Sequence, residues 1–288
     1  MYFASEPCNT LAVSRELLQR IRERPELTWL ALVDSAFDFG ESGIALSHAR
    51  HFLYDSDELS DLLAASPFLI VLTSNDEKQL RFELAALIRH RRERPMLSFI
   101  GTSSTARAVN ENFQLYCNAT TDDDQELILR FADTRVLPVL PDALRPAYWS
   151  GMTSLLSAWI AIDRDGLLRS LPVNEYRPQL QGRFQLSPAE FEKLVTQSEP
   201  DAVLDVIAET NLEALPEKDR AETYRKVADA CFLAQKHKVN AFPDVVALAY
   251  LALLNDGKWI KSEKLSEMLS RFEWVPGQLI DRLADFIE

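Results

Sequence analysis

Hydrophobic and polar positions repeat along this chain with two different periods, and the change between them divides it. Residues 11–24 read as an amphipathic helix in which Leu11, Leu17, Leu18 and Ile21 share a stripe and Pro25 is the stop. TWLALVDSAF then runs apolar as far as Asp34; its length and its β-branched and aromatic content are those of a buried strand. HFLYD, ending at Asp55, and PFLIVLT, after the Ser66-Pro67 break, are further strands, with a short acidic helix, DSDELSDLLAAS, between them. Residues 76–94 carry a helical stripe through Leu80, Leu84, Leu87 and Ile88. They end in a basic run, Arg89, His90, Arg91, Arg92 and Arg94, that suits the negative end of a helix dipole. MLSFIGT predicts a strand, TSSTARAVNENF a polar-faced helix and QELILRFAD another strand, and helix signals resume from Thr134 to Trp149. LLSAWIAID and LLRSLPV predict a hairpin turning at Asp165-Gly166.

After the polar linker NEYRPQLQGRF the helical period is unbroken. Ser187, Pro188 and Glu190 spell a capping box: a hydroxyl N-cap, a proline at the first helical position and a carboxylate three residues after the cap. A second helix is expected to begin at Pro200 and bury Val203, Leu204 and Ile207, and a third, from about Pro216, to bury Tyr224, Val227, Ala228 and Cys231. FPDVVALAYLALLND is apolar nearly all round, the mark of a central buried helix. KSEKLSEMLSRF and PGQLIDRLADFI complete a bundle of about six helices. The predicted architecture is an α/β (α+β) domain over residues 1–180, with a mixed sheet flanked by helices, and an all-α domain over residues 181–288.

A chain of 288 residues suits two domains, and a hydrophobic share of 47% fills their cores. The formal net charge of -13 repels phosphate backbones and anionic lipids, so neither nucleic acid nor a membrane is an expected partner. Cys8, Cys117 and Cys231 are odd in number and far apart, which points to free thiols in a reducing compartment rather than a disulfide framework or zinc site. With neither leader pattern nor membrane-length apolar run, the expected location is the cytoplasm.

Several groups invite a chemical reading. His48 and His51, near Asp55 and Asp57, have a spacing that joins two imidazoles to one metal on a helix but splits them between the faces of a strand; no metal site is expected. The GTSST turn, Gly101 to Thr105, offers free N–H groups for a phosphate but has neither nucleotide fingerprint, so Thr102 or Ser103 reads as a plain N-cap. Asp122, Asp123 and Asp124 read as a solvated turn, and the run Arg89 to Arg94 as a solvated helix end. No nucleophile or zinc-protease signature occurs, and no catalytic residue or cofactor is expected. The sharper constellation is Arg130-Phe131-Ala132-Asp133-Thr134-Arg135-Val136-Leu137: Asp133 caps the helix expected from Thr134, and Arg130 leaves its strand opposite Leu129 and Phe131, placed to pair with an acid.

That junction resembles a motif of the type VI secretion effector chaperones, or adaptors, of the Tap or TEC type, which reads Arg-Phe-aromatic-Asp-Pro-Arg-Val-Leu. Arg130, Phe131, Asp133, Arg135, Val136 and Leu137 match; Ala132 replaces the aromatic residue and Thr134 the proline. Residues 30–36, LALVDSA, resemble the family's opening strand, and Leu53-Tyr54, Ser66-Pro67-Phe68-Leu69-Ile70 and Trp159 follow in its order. The resemblance implies a non-catalytic protein that binds a cognate effector in the cytoplasm and helps mount it on the VgrG spike or its PAAR-bearing tip. The shared motif reads as scaffold, which leaves the cargo surface elsewhere. Tyr148, Trp149 and Tyr176, near the junction of the two domains, are candidate partner anchors, weighed against a place in the core, and the cleft between the domains is the candidate groove. The competing reading is an enzyme for a small phosphorylated or carboxylated ligand, with Asp34, Asp55 and the GTSST turn converging at strand ends.

Overall fold

A computed structural model describes residues 2–38, 43–56, 58–173 and 183–286, so Asp57, Tyr176 and most of the linker lie outside the described residues. Contacts divide the chain into two compact units, Pro7–Val195 and Met1–Glu6 with Thr196–Glu288.

In the first unit, helix α1 (Thr10–Arg22) precedes strand β1 (Thr28–Val33). Then come β2 (His51–Phe52), β3 (Phe68–Val71), α2 (Glu77–Arg91), β4 (Leu97–Thr102) and α3 (Ala106–Gln114). The unit continues with β5 (Asn118–Thr120), β6 (Glu126–Ile128), α4 (Leu140–Ala143), α5 (Pro146–Met152), β7 (Ala158–Ile162), β8 (Leu168–Ser170) and the start of α6 (Pro188–Thr210). Among the described residues β2-β3-β1-β4-β7-β8 form one sheet in that order. Each of its ladders is antiparallel, a refinement of the mixed sheet that the sequence suggested. β3 and β4 run the same way on either side of β1, and α2 makes the connection between them.

The near-continuous apolar runs reflect a sheet covered on both faces. Alternate residues of one strand enter opposite cores, as the two-residue strand period requires. Leu30 and Leu32 face a core shared with Val109 and Phe113 of α3, Phe131, and Trp149 and Met152 of α5. Trp29, Ala31 and Val33 face another, filled by Leu17, Leu18 and Ile21 of α1 and Leu80, Leu84, Leu87 and Ile88 of α2.

The structure corrects several local expectations. Leu11 is 70% exposed, and Val13 takes its place in the stripe. The helix expected between β2 and β3 is a 3-10 segment, Ser60–Ala65. The strand QELILRFAD shortens to β6, which among the described residues pairs with the unforeseen β5, so the Asp122–Asp124 turn joins two strands. No helix begins at Thr134: the chain turns through a 3-10 segment, Leu137–Val139, before α4 and α5. The predicted β7–β8 hairpin forms, with Gly166 at φ +75°.

In the second unit α6 is one helix of 23 residues with Pro200 inside it, where two helices were expected. Burial of Val203, Leu204 and Ile207 on the turns that follow outweighs the hydrogen bond that the proline lacks. α7 (Arg220–Lys236) packs on α8 (Phe242–Leu253), whose Val245, Ala247, Leu248, Ala249, Leu251 and Ala252 are all buried, as its apolar pattern predicts. α9 (Glu263–Arg271) and α10 (Leu279–Leu283) complete the core. The N-terminal residues join this unit: the Tyr2 hydroxyl donates to the Pro216 carbonyl at 3.2 Å, and Glu6 accepts from the Ala221 N–H at 3.0 Å. Among the described residues no helix is long and apolar enough to cross a membrane.

Candidate functional site: an arginine–aspartate corner

β1 ends in an apolar strand whose next residue is an acid, and that acid is drawn inside. Asp34 has no exposed surface; its N–H donates to the Met96 carbonyl at 2.9 Å, and one carboxylate oxygen accepts from the Ala36 N–H at 3.1 Å. The other oxygen accepts from Arg130 Nη2 at 2.8 Å, the acid partner that the motif's geometry called for. Burial pushes the Asp34 carboxyl above its ordinary range, and the Arg130 guanidinium opposes that rise.

Two more aspartates follow the same logic. Asp133, also buried, binds the Arg135 side chain with both oxygens, Nη2 at 2.8 Å and Nε at 3.1 and 3.2 Å, and accepts from the Arg135 N–H at 2.9 Å. It thus caps a turn, in place of the helix expected there. Asp38 takes Arg94 Nη1 at 2.8 Å and His90 Nε2 at 2.9 Å. Arg94 also donates to the carbonyls of Phe37 and His90, at 2.9 and 2.6 Å. The guanidiniums of Arg130 and Arg135 stand 5.2 and 5.6 Å from the centre of the Phe37 ring. Three arginines and three aspartates therefore close round one phenylalanine at the β1 end of the sheet, with the Thr134 N–H tied to the Pro95 carbonyl at 2.8 Å. Phe131, beside them, points the other way, into the core against Trp159 and Phe113.

Sequence reasoning found Arg130, Phe131, Asp133 and Arg135 but missed Phe37, Asp38 and Arg94. Arg91 and Arg94, read as part of a solvated helix end, are 1% and 8% exposed. The signal available was Asp38, one turn past Asp34, as a match for that basic run; their pairing is long-range and no periodicity reveals it.

The other candidates scatter. Trp149 is 3% exposed, stacked on Trp159 at 5.8 Å, with its indole N–H donating to the Pro172 carbonyl at 2.8 Å. Tyr148 is half-buried, edge-on to Phe184 at 4.9 Å and beneath the Arg145 guanidinium. Arg145 in turn holds Glu190 with Nη2 at 2.6 Å and Nε at 3.1 Å, while the capping box closes as predicted, the Ser187 N–H donating to Glu190 at 2.9 Å. His48 pairs with the buried Glu83 at 3.0 Å, and His51 opens β2. Among the described residues no cluster of His, Cys, Asp and Glu fits a metal ion. Thr105, not Thr102 or Ser103, caps α3; the Thr102 hydroxyl instead donates to the Leu155 carbonyl. Trp29 pairs with Gly101 across β1 and β4, and Asp34 lies five residues farther along β1, roughly 17 Å away at the usual strand rise. Asp55 is exposed. The groups of the competing enzyme reading therefore stand at opposite ends of the sheet.

Fold and site together define an α/β scaffold: an antiparallel sheet, covered on both faces and closed at one end by a self-neutralised arginine–aspartate corner. Residues 29–151, from β1 into α5 and including every residue of the corner, match the family described as a domain of unknown function, DUF4123. No curated protein and no solved structure matches the chain.

Proposed function

We propose that this chain is an adaptor-chaperone that binds a cognate type VI secretion effector in the cytoplasm and helps load it onto the VgrG/PAAR spike, acting by binding and not by catalysis. The carrying observation is the match of residues 29–151 to DUF4123, a family associated with type VI secretion effector adaptors. The corner supports a scaffold role for the motif. Each of its carboxylates already has a guanidinium within 2.8 Å, so its charges hold the fold together rather than wait for a ligand. Tyr148 stays a candidate anchor, since it is only partly buried. Co-expression of the tagged chain with the effector-sized open reading frame beside its gene, followed by pull-down, tests the proposal. A stoichiometric complex with that product or with VgrG is the expected result; recovery of the folded chain free of both overturns it.

A further inference from the structure

α9 ends on a residue that its backbone does not call for. Phe272 closes the helix at φ +51°, the left-handed conformation that ordinarily falls to glycine, and its N–H donates to the Leu269 carbonyl at 3.2 Å. A bulky side chain is strained there, and burial offsets little of the strain, because Phe272 is 56% exposed. Its ring stacks on Trp274 at 5.6 Å, and Trp274 is itself only partly buried. Val275 follows at 61% exposure. Three large apolar side chains thus stand at the surface in one short loop, where a glycine in place of the first would satisfy the backbone better.

The loop that carries them is held from below. The Trp274 indole N–H and the Gly277 N–H donate to Asp244 at 3.0 and 2.8 Å, and the Gln278 N–H turns back to the Val275 carbonyl at 2.9 Å. Beside the loop runs a groove of about 550 Å³, lined by Glu273, Trp274, Val275, Gln278, Asp281 and Arg282. Charge selects what fits it. Arg282 spends its Nε on the Glu273 carbonyl at 3.1 Å, and the Glu273 carboxylate lies 3.7 Å from Arg271. Asp281 is exposed and makes no ion pair among the described residues. The chain carries a net charge of -13, so an acidic partner or a second copy of this chain meets repulsion, and a cationic partner meets attraction. Lysine and arginine also sit favourably over aromatic faces such as those of Phe272 and Trp274.

We propose that this groove and the Phe272–Trp274–Val275 surface dock a basic amphipathic segment of a partner polypeptide. Apolar residues of the segment cover Phe272 and Val275, and a lysine or arginine pairs with Asp281. The proposal deepens the adaptor reading and rests on it only for the partner's place in secretion.

The test titrates the native full chain against a fluorescein-labelled peptide of leucine and lysine at helical spacing, and against its counterpart with glutamate in place of lysine. Saturable binding of the lysine peptide alone is expected. Phe272→Gly, Val275→Ser and Asp281→Lys each weaken it about tenfold or more, while Glu126→Lys, an exposed position in the other unit, leaves it unchanged. If Phe272→Gly does not fold, Val275→Ser decides. Equal binding of both peptides, native affinity in Val275→Ser, or equal losses in Asp281→Lys and Glu126→Lys overturn the proposal. So does a native chain that dimerises in sedimentation while Val275→Ser stays monomeric, since the occupant is then a second copy. In the co-expression experiment, an effector captured by the native chain and lost from Val275→Ser supports the groove. Equal capture by both chains overturns the groove and leaves the adaptor reading standing. A native chain that binds the lysine peptide in the groove but captures neither effector nor VgrG supports the groove and overturns the adaptor reading.

Discussion

The Arg130 guanidinium stands 2.8 Å from the Asp34 carboxylate across 96 positions of sequence, and the contact joins the motif loop to the end of the first strand. Asp34 is fully buried while the Arg130 side chain is 40% exposed, so solvent screens one side of the pair only. Arg130→Met strands a buried carboxylate without its counter-charge. The expected loss of stability is about 1–3 kcal/mol, below the cost of breaking a fully buried pair. Adding Asp34→Asn to that variant removes the stranded charge and recovers part of the loss. Urea midpoints of the four chains measure the coupling; strictly additive losses refute the staple.

Glu190 provides the pH dependence. Burial alone raises its carboxyl, but Arg145, the Ser187 hydroxyl and the backbone N–H groups of Ser187 and Arg145 outweigh it and bring the value down to about 2 from 4.5. Between these values the unfolded chain binds a proton that the folded chain does not, so stability falls as pH falls. The contribution is complete above about pH 4.5 and is lost as pH drops through about 2. Glu190→Gln is therefore expected to be less stable than the native chain at pH 6 and to lose less on acidification. Urea midpoints of both chains from pH 6 to 2.5 check this; parallel curves refute it.

Glu190 also shows which parts of the architecture can be read from sequence. Its capping box lies within four residues, so local chemistry predicts both the helix start and the hydrogen bonds. The same locality makes α8 readable as a central helix and Gly166 as a hairpin turn. Arg130 is legible only in part: its direction off the strand calls for an acid, but nothing local singles out Asp34. Arg94 and Asp38 fail for the same reason, since a basic helix end is ordinarily solvated and only the tertiary fold folds it inward. β2 and β6 are shorter than their apolar runs because those runs continue past the sheet edge into core-lining loops, where Leu53 and Leu129 are buried without being paired in a strand. Strand order and antiparallel direction are likewise set by connections that no single segment encodes.

Pro200 is the one misreading of helix continuity that carries a stability prediction. It has no N–H to offer the Thr196 carbonyl one turn back, and its ring is buried inside α6. A proline in a helix interior costs about 3 kcal/mol relative to alanine, offset by about 1 kcal/mol through restriction of the unfolded chain. Pro200→Ala also gives up some apolar burial. The net expectation is a gain of about 1–2 kcal/mol, seen as a higher melting temperature. A lower melting temperature means that the ring's packing matters more than the missing hydrogen bond.

The helical unit has its own buried carboxylate, and sequence patterns give it only the bland role of an acid in a helix's first turn. Asp244 is 1% exposed. It accepts from the Trp274 indole N–H at 3.0 Å and the Gly277 N–H at 2.8 Å with one oxygen, and from the Leu279 N–H at 2.9 Å with the other. Those donors fix the loop between α9 and α10, where Phe272 adopts φ +51° and stacks on Trp274 at 5.6 Å. Asp244→Ala removes three acceptor contacts at once and leaves donors facing an apolar gap, at an expected cost of about 3 kcal/mol or more. Asp244→Asn keeps the shape and one acceptor oxygen but turns an NH2 group toward a donor, so it should recover little. If Asn is instead close to native in chemical denaturation, shape and not charge holds the loop. If Ala leaves both global stability and amide exchange at Gly277 and Leu279 unchanged, the carboxylate is not its anchor.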